Sequence, residues 1–174
     1  GASSSPDTAT VTTTDTKPPA VTCSVSQPVL NQTNHDLVNI GLASTATDQC
    51  EGNLPVTVKV YSNEDDQQGL NSDVAHGDSP DAKDIAVGTL RLRAERLGNG
   101  DGRVYLVVAS ASDSSNNSAV GCCTVAIPHS TSAADQTKAT QLAAAARNYC
   151  LAHPGMPPTG YFVIGDGPIV GPKQ

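Results

Sequence analysis

The sequence is poor in aromatic residues and in positive charge. It contains no Trp, one Phe, one Met and four Tyr in 174 residues. A core of Val, Leu, Ile and Ala is therefore expected, and such side chains pack well in sheets. The ten Lys and Arg form no run and are outnumbered by 17 Asp and Glu, which gives a net charge of −7. This charge pattern argues against nucleic acid binding.

Long apolar runs and catalytic motifs are also missing. No stretch approaches the roughly 18 apolar residues that span a bilayer, so we expect no membrane insertion. No serine lies in a GxSxG elbow, and the four His show no metal-ligand spacing. The glycine-rich run GNGDG at 98–102 is followed by a strand pattern, whereas a phosphate-binding loop precedes a helix. The sequence therefore predicts no enzyme.

Residues 81–113 show the clearest strand pattern. Leu90, Leu92 and Ala94 alternate with polar residues, which is the period of a strand with one buried face. The alternation resumes at Val104 after GNGDG, so we predict a β-hairpin about this turn. We expect further strands at similar spacing; all the predicted strands lie near 20–26, 37–47, 54–62, 86–96, 103–112 and 119–127.

The C-terminal part has a different composition. Residues 130–152 are rich in Ala, with Ser130 or Ser132 as candidate N-cap and Asp135 in the first turn, which predicts a helix. Its expected apolar side consists of Leu142, Ala145, Ala146 and Tyr149. The tail contains two short strand-like pieces, 161–164 and 169–170.

The predicted fold is mainly β, an antiparallel immunoglobulin-like β-sandwich with a C-terminal helix and extended N- and C-terminal segments. Its predicted parts are a Ser/Thr/Pro-rich arm at 1–19, the sandwich at 20–129, and the helix and tail at 130–174. Within the arm, Ala9, Val11 and Thr13 would share one face of a strand. We therefore expect the arm to dock by strand addition, on its own domain or, preferably, on a neighbour.

The five cysteines suggest an oxidising, extracytoplasmic setting. Cys122 and Cys123 are adjacent, and neighbours on a strand point to opposite faces. One thiol should face the core, where Cys23 or Cys50 could be its partner. The other should face outward and reach Cys150 on the helix. One cysteine then remains, either free or in an intermolecular bridge.

Several segments carry a family resemblance. They are PPAVTCSVS at 18–26, TATDQC at 45–50, LRLRAERLGNGDGRVY at 90–105 and ASDSSNNSAVGCCTVAIPHS at 111–130. The run from 18 to 129 resembles secreted bacterial immunoglobulin-like modules of the hyalin-repeat or PKD-like type. Asn117 matches the Asn of the family's AxDxxGN turn, while Asn116 replaces its Gly. The resemblance implies a role in adhesion or architecture, without catalysis.

Acidic residues concentrate in the predicted loops. An immunoglobulin-like strand order would bring loops 48–53, 78–84 and 113–118 to one end, and loops 63–66 and 97–102 to the other. Calcium prefers about six to eight oxygen ligands from flexible loops, so we predict a Ca²⁺ site at one of these ends. The alternative is that these residues cap turns and solvate the surface. The candidate ligands are Asp48, Asp81, Asp84, Asp113 and Asn116 at the first end, and Glu64, Asp65, Asp66 and Asp101 at the second.

These features predict a secreted or cell-surface, non-enzymatic module with a structural or adhesive role, which self-assembles into a filament through its arm. The expected partner is another copy or another cell-surface protein. The alternative is a carbohydrate-binding module of a secreted enzyme, with a glycan as partner. That alternative is weaker because sugars usually bind on aromatic platforms, which are scarce in this chain.

Overall fold

The computed structural model describes residues 14–31, 34–65, 80–98 and 100–165. This part of the chain is mainly β, with several antiparallel sheets and one C-terminal helix, α1 (Ala133–Ala152). The strands are β1 Ala20–Val21, β2 Ser24–Val25, β3 Leu37–Asn39, β4 Leu42–Ala43, β5 Ala46–Asp48, β6 Gly52–Leu54, β7 Thr57–Ser62, β8 Ala82–Lys83, β9 Arg91–Arg93, β10 Gly102–Ser112, β11 Ser118–Pro128 and β12 Phe162–Ile164.

The largest sheet has the strand order β11-β10-β7-β12. Its two long strands, β10 and β11, are joined by a short turn and pair from Gly102 opposite Pro128 to Ser112 opposite Ser118. The other strands form three smaller sheets, with the orders β1-β5-β6, β2-β4 and β3-β9-β8.

The predicted hairpin about GNGDG is wrong. β9 pairs with β3 and β8, whereas β10 pairs with β11 and β7, so the two strands belong to different sheets. Leu90 and Leu92 belong to the same buried core cluster as Tyr105 and Val107, although the two strands are not hydrogen-bonded neighbours. Alternation in a sequence shows that one face is buried, but it does not show which strand lies beside it.

Two other predicted strands are shorter than expected. The strand predicted at 37–47 is divided into β3, β4 and β5. Gly41 interrupts it with a φ of +62°, in the left-handed region where a side chain is strained. The strand predicted at 86–96 is reduced to β9. The tail strand predicted at 161–164 is confirmed as β12, while the piece at 169–170 lies outside the described residues.

The two long strands of the four-stranded sheet, β10 and β11, are covered on both faces. The inner face of this sheet contributes Val60, Tyr105, Val107 and Val125 to the main core, against the shorter strands. Its outer face is covered by α1, which packs over Val104, Leu106 and other residues of β10 and β11. Double coverage explains why β10 is buried at every position from Gly102 to Ala109.

The helix begins and ends where the sequence predicts. The Ser132 side chain accepts a hydrogen bond from the Asp135 N–H at 3.1 Å, and the helix ends at His153. The predicted apolar side is partly wrong, because Ala145 is exposed and the buried residues are Ala139, Ala143, Ala146 and Cys150. Within the described residues, no helix is both long enough and apolar enough to cross a membrane.

Candidate functional site

Two disulfides meet at adjacent residues of β11. Cys123 faces the main core and is bonded to Cys23, while Cys122 faces α1 and is bonded to Cys150. The prediction that the two neighbours take different partners on opposite faces is confirmed. Cys50 is the remaining cysteine, and it is free and exposed. We call residues 122–123 with their two bridges the disulfide junction.

The junction lies where β11 contacts the N-terminal part of the domain. The Thr22 backbone lies so close to Gly121 that a Cβ at residue 121 would be 2.9 Å from the Thr22 carbonyl carbon. Farther along β11, Leu30 N–H donates to the Ala126 carbonyl at 2.9 Å. This edge of the large sheet is therefore covered by residues of the same chain.

The described base of the arm, residues 14–19, lies on the domain. Asn117 Nδ2 donates to the Asp15 carbonyl at 3.2 Å, and Lys17 Nζ donates to Gln49 Oε1 at 3.2 Å. Both partners belong to loops that the sequence places at one end of the molecule. The outer part of the arm, including the predicted strand residues at 9–13, lies outside the described residues.

Beside the arm base, Asp15, Asp48 and Cys50 bring their ligand atoms within 4.8 Å of one another. The Cys50 backbone N–H donates to Asp48 Oδ1 at 2.7 Å, and this bond lowers the pKa of Asp48. A side-chain hydrogen bond with Asp15 raises the pKa of the Cys50 thiol, and the neighbouring negative charges add to the rise. The thiol therefore keeps its proton at neutral pH. Two carboxylates and a thiol could hold a metal ion, and no other such group occurs among the described His, Cys, Asp and Glu.

The structure brings together part of the first predicted calcium end. Ser114 N–H donates to Glu51 Oε1 at 2.8 Å, so loops 48–53 and 113–118 meet. In these loops the carboxylates of Asp48 and Asp113 accept hydrogen bonds from backbone N–H groups. These bonds cap the turns, as the alternative to a calcium site expects. Asn116 is exposed in the turn with a φ of +67°.

The third loop of that end lies elsewhere. Asp84 forms an ion pair with Arg91. Asp81 points into the interior and is fully buried. The described part of this loop, residues 80–84, contacts Arg103 at the start of β10, whereas loop 113–118 follows the other end of β10, so the predicted meeting of Asp81 with those loops is wrong.

The second predicted end also assembles in part. Glu64 Oε2 accepts the Leu97 N–H at 2.8 Å, so loops 63–66 and 97–102 meet. Asp101 is exposed and forms an ion pair with Lys138 of α1 at 2.6 Å. Asp65 is half-buried at the end of the described segment, and Asp66 lies outside the described residues.

Asp81 and Glu64, predicted at opposite ends, contact the same guanidinium group. Arg103 Nη1 lies 2.8 Å from Asp81 Oδ2, and Arg103 Nε lies 3.2 Å from Glu64 Oε2. Glu95 and Arg93 complete a buried charge network, in which Arg103 Nη1 is 3.3 Å from Glu95 and Arg93 Nε is 3.4 Å from Asp81. Burial raises the pKa of Glu64, and the Arg103 charge opposes this rise.

Sequence reasoning missed this network. One feature of the sequence does indicate this network. Arg103 is a charged residue at the start of a strand that is otherwise apolar, since it precedes the run from Val104 to Ala109. A cation at such a position must find anions inside the protein. Ca²⁺ binding by the loop carboxylates stays a prediction, and Asp81 and Glu64 are already engaged by Arg103.

The aromatic residues form no exposed platform in the described part of the chain. Tyr105 is fully buried, and its hydroxyl donates to the Arg93 carbonyl at 3.0 Å. Tyr61, Tyr149, Tyr161 and Phe162 are all half-buried.

Comparison of the chain with protein-family models, curated proteins and solved structures finds no match. The resemblance to hyalin-repeat or PKD-like modules therefore stays a prediction.

Proposed function

We propose that this chain is a non-enzymatic, extracellular structural module that transmits tension and associates with other copies through its N-terminal arm. The β part would be an immunoglobulin-like sandwich, as the sequence resemblance implies. The paired disulfides suit an oxidising compartment.

The disulfide junction is the observation that carries the proposal. A covalent path runs from the N-terminal segment to Cys23, across its bridge to Cys123, through one peptide bond to Cys122, and across the second bridge to Cys150. Tension applied before Cys23 and after Cys150 therefore bypasses residues 24–121 and 124–149. These two stretches, which include every strand from β2 to β10 and most of α1, are shielded from forced unfolding, whereas β1 and β12 lie outside the bypassed stretches.

The arm supplies the contact between copies. Its base is fixed to the domain by the contacts of Asp15 with Asn117 and of Lys17 with Gln49. In the large sheet the β11 edge is covered by residues 28–30, whereas no described strand lies beyond β12. An extended arm could add there as a further strand, since strand addition satisfies backbone donors and acceptors of both partners.

The covalent path through the two bridges, which we call the bypass, is tested by stretching single molecules from tags placed before Cys23 and after Cys150. The oxidised protein should show no release of chain between these residues. Replacing Cys23 and Cys123 by Ala should release the segment closed by that bridge, whose sequence separation is 100, or roughly 350 Å of extended chain. Release of this length from the oxidised wild-type protein would contradict the proposal.

The arm is tested by sedimentation over a range of concentrations. Full-length protein should form oligomers, and removal of residues 1–13 should leave monomers with an unchanged fold. Val11→Pro should act like the deletion because Pro lacks the backbone donor, while Val11→Thr is the matched control that keeps it. A full-length protein that stays monomeric at every concentration would rule out assembly through the arm, but would leave the bypass untouched.

The carbohydrate-binding alternative has less support. Sugar-binding surfaces usually present exposed aromatic rings, and every Tyr and the one Phe of this chain is buried or half-buried.

A further inference from the structure

The C-terminal segment, residues 130–164, completes the large sheet although it comes last in the chain. It leaves β11 at one edge of the sheet, crosses the outer face as α1, and returns as β12 at the opposite edge. β12 pairs with β7 at Phe162, Val163 and Ile164. The segment therefore supplies both the cover of the sheet and its last strand.

Within this segment, α1 is attached through small side chains, whereas β12 is attached by its pairing with β7 and by the buried Ile164. The buried residues of α1 are three Ala and Cys150, with Leu142 half-buried beside them, and alanine buries little apolar surface. The main polar contact to β11 is the bond from Arg147 Nε to the Cys122 carbonyl, at 3.0 Å. The Cys122–Cys150 bridge therefore supplies a large part of the attachment of α1 to β11.

The sheet face under α1 would be apolar without its cover. Val104 and Leu106 are fully buried there, and Val108 and Ala126 are nearly so. The structure also shows what fits this face, namely the C-terminal segment itself. The same segment of a second copy would make the same contacts if the chain opened at the link 129–132, between β11 and α1.

We propose that, before the Cys122–Cys150 bridge forms, the C-terminal segment exchanges between two copies, and that oxidation then fixes either a monomer or a swapped dimer. In the dimer, α1 of each copy covers the sheet of the other. Cys122 of one copy is then bonded to Cys150 of the other. Each bond forms when two thiols lose two protons and two electrons to a low-molecular-weight disulfide, which is reduced to two thiols. This exchange involves the C-terminal segment and is independent of the arm.

The experiment uses the full chain with Cys50→Ala, which removes the free thiol. The reduced protein is refolded at a series of concentrations and oxidised with glutathione disulfide. Electrophoresis without reductant should show a covalent dimer whose ratio to monomer rises about in proportion to the free monomer concentration, as mass action requires. The dimer should disappear on reduction.

Two further variants assign the linkage. With Cys122 and Cys150 also replaced by Ala, no covalent dimer should form at any concentration. With Cys23 and Cys123 replaced instead, the covalent dimer should remain. A covalent dimer that survives loss of Cys122 and Cys150, or monomers at every concentration, would overturn the proposal.

Hydrogen exchange provides a readout that does not depend on recovering dimers. In monomer without the Cys122–Cys150 bridge, amides of 133–152 should exchange roughly 100-fold faster than in the bridged protein, while those of β10 change much less. Equal protection of the helix in both proteins would mean that the bridge does not hold the segment, and would likewise overturn the proposal.

Discussion

Arg103 Nη1 and Asp81 Oδ2 lie 2.8 Å apart in the interior, and both side chains are almost fully buried. The pair joins the start of β10 to the chain just before β8, two places that are distant in sequence. Because Glu64 contacts the same guanidinium, Arg103 connects both sides of the long segment between β7 and β8.

Loss of Arg103 should destabilise the protein strongly. Arg103→Met leaves the carboxylates of Asp81 and Glu64 buried without their cation, and removal of one partner of a buried pair typically costs about 3–5 kcal/mol. The free energy of unfolding in urea measures this effect. Lys138→Met is the matched control because the ion pair of Lys138 with Asp101 is exposed, so the change should be close to zero. Equal effects of the two substitutions would show that the buried network is not stabilising.

Cys50 should react slowly with thiol reagents. The hydrogen bond with Asp15 raises the pKa of the thiol, so the reactive thiolate is scarce near pH 8. Asp15→Asn should shift the curve of alkylation rate against pH to lower pH. Removing residues 1–19 should do the same, since it removes Asp15 with the arm base. Asp36→Asn, at an exposed position away from Cys50, is the control, and a curve unchanged by Asp15→Asn would contradict the predicted contact.

Gly121→Ala should separate β11 from the N-terminal part of the domain. Its Cβ would lie 2.9 Å from the Thr22 carbonyl carbon, which is backbone and cannot move aside cheaply. Such overpacking typically costs about 1–3 kcal/mol, measured by urea unfolding. Gly98→Ala is the matched control, because a Cβ at that position has no neighbour within 4 Å.

If loops 48–53 and 113–118 bind calcium, calcium is expected to raise the melting temperature of the protein. Asp48 and Asp113 belong to the loops that meet there, and a ligand that binds the folded state alone stabilises it by mass action. Melting with calcium is compared with melting in a chelator. Asp48→Asn with Asp113→Asn should abolish any difference, whereas Asp36→Asn should not. Identical melting temperatures with calcium and with chelator would end the calcium hypothesis.

The predictable features of this molecule are local ones. The cap at Ser132 and the end of the helix at His153 follow from a few neighbouring residues. The opposite directions of Cys122 and Cys123 follow from the pleat of one strand, and the remaining cysteines limited the choice of partners.

The features that sequence reasoning missed depend on contacts between distant residues. The alternation at Leu90 and Leu92 indicated a buried face, but β9 pairs with β3 and β8 rather than with β10. The same strand arrangement places Asp81 and Glu64 around Arg103, whereas their sequence context suggested exposed loops. Nothing local to these residues specifies that arrangement.

The two bridges also determine what a protease can achieve. The Cys23–Cys123 bridge closes a ring of residues 23–123, and the Cys122–Cys150 bridge closes a ring of residues 122–150. The two rings therefore share residues 122 and 123 of β11. A single cut anywhere between Cys23 and Cys150 therefore leaves both products joined by at least one disulfide. A nicked molecule keeps its full mass until it is reduced, and it can persist where proteases are abundant and reductants are scarce.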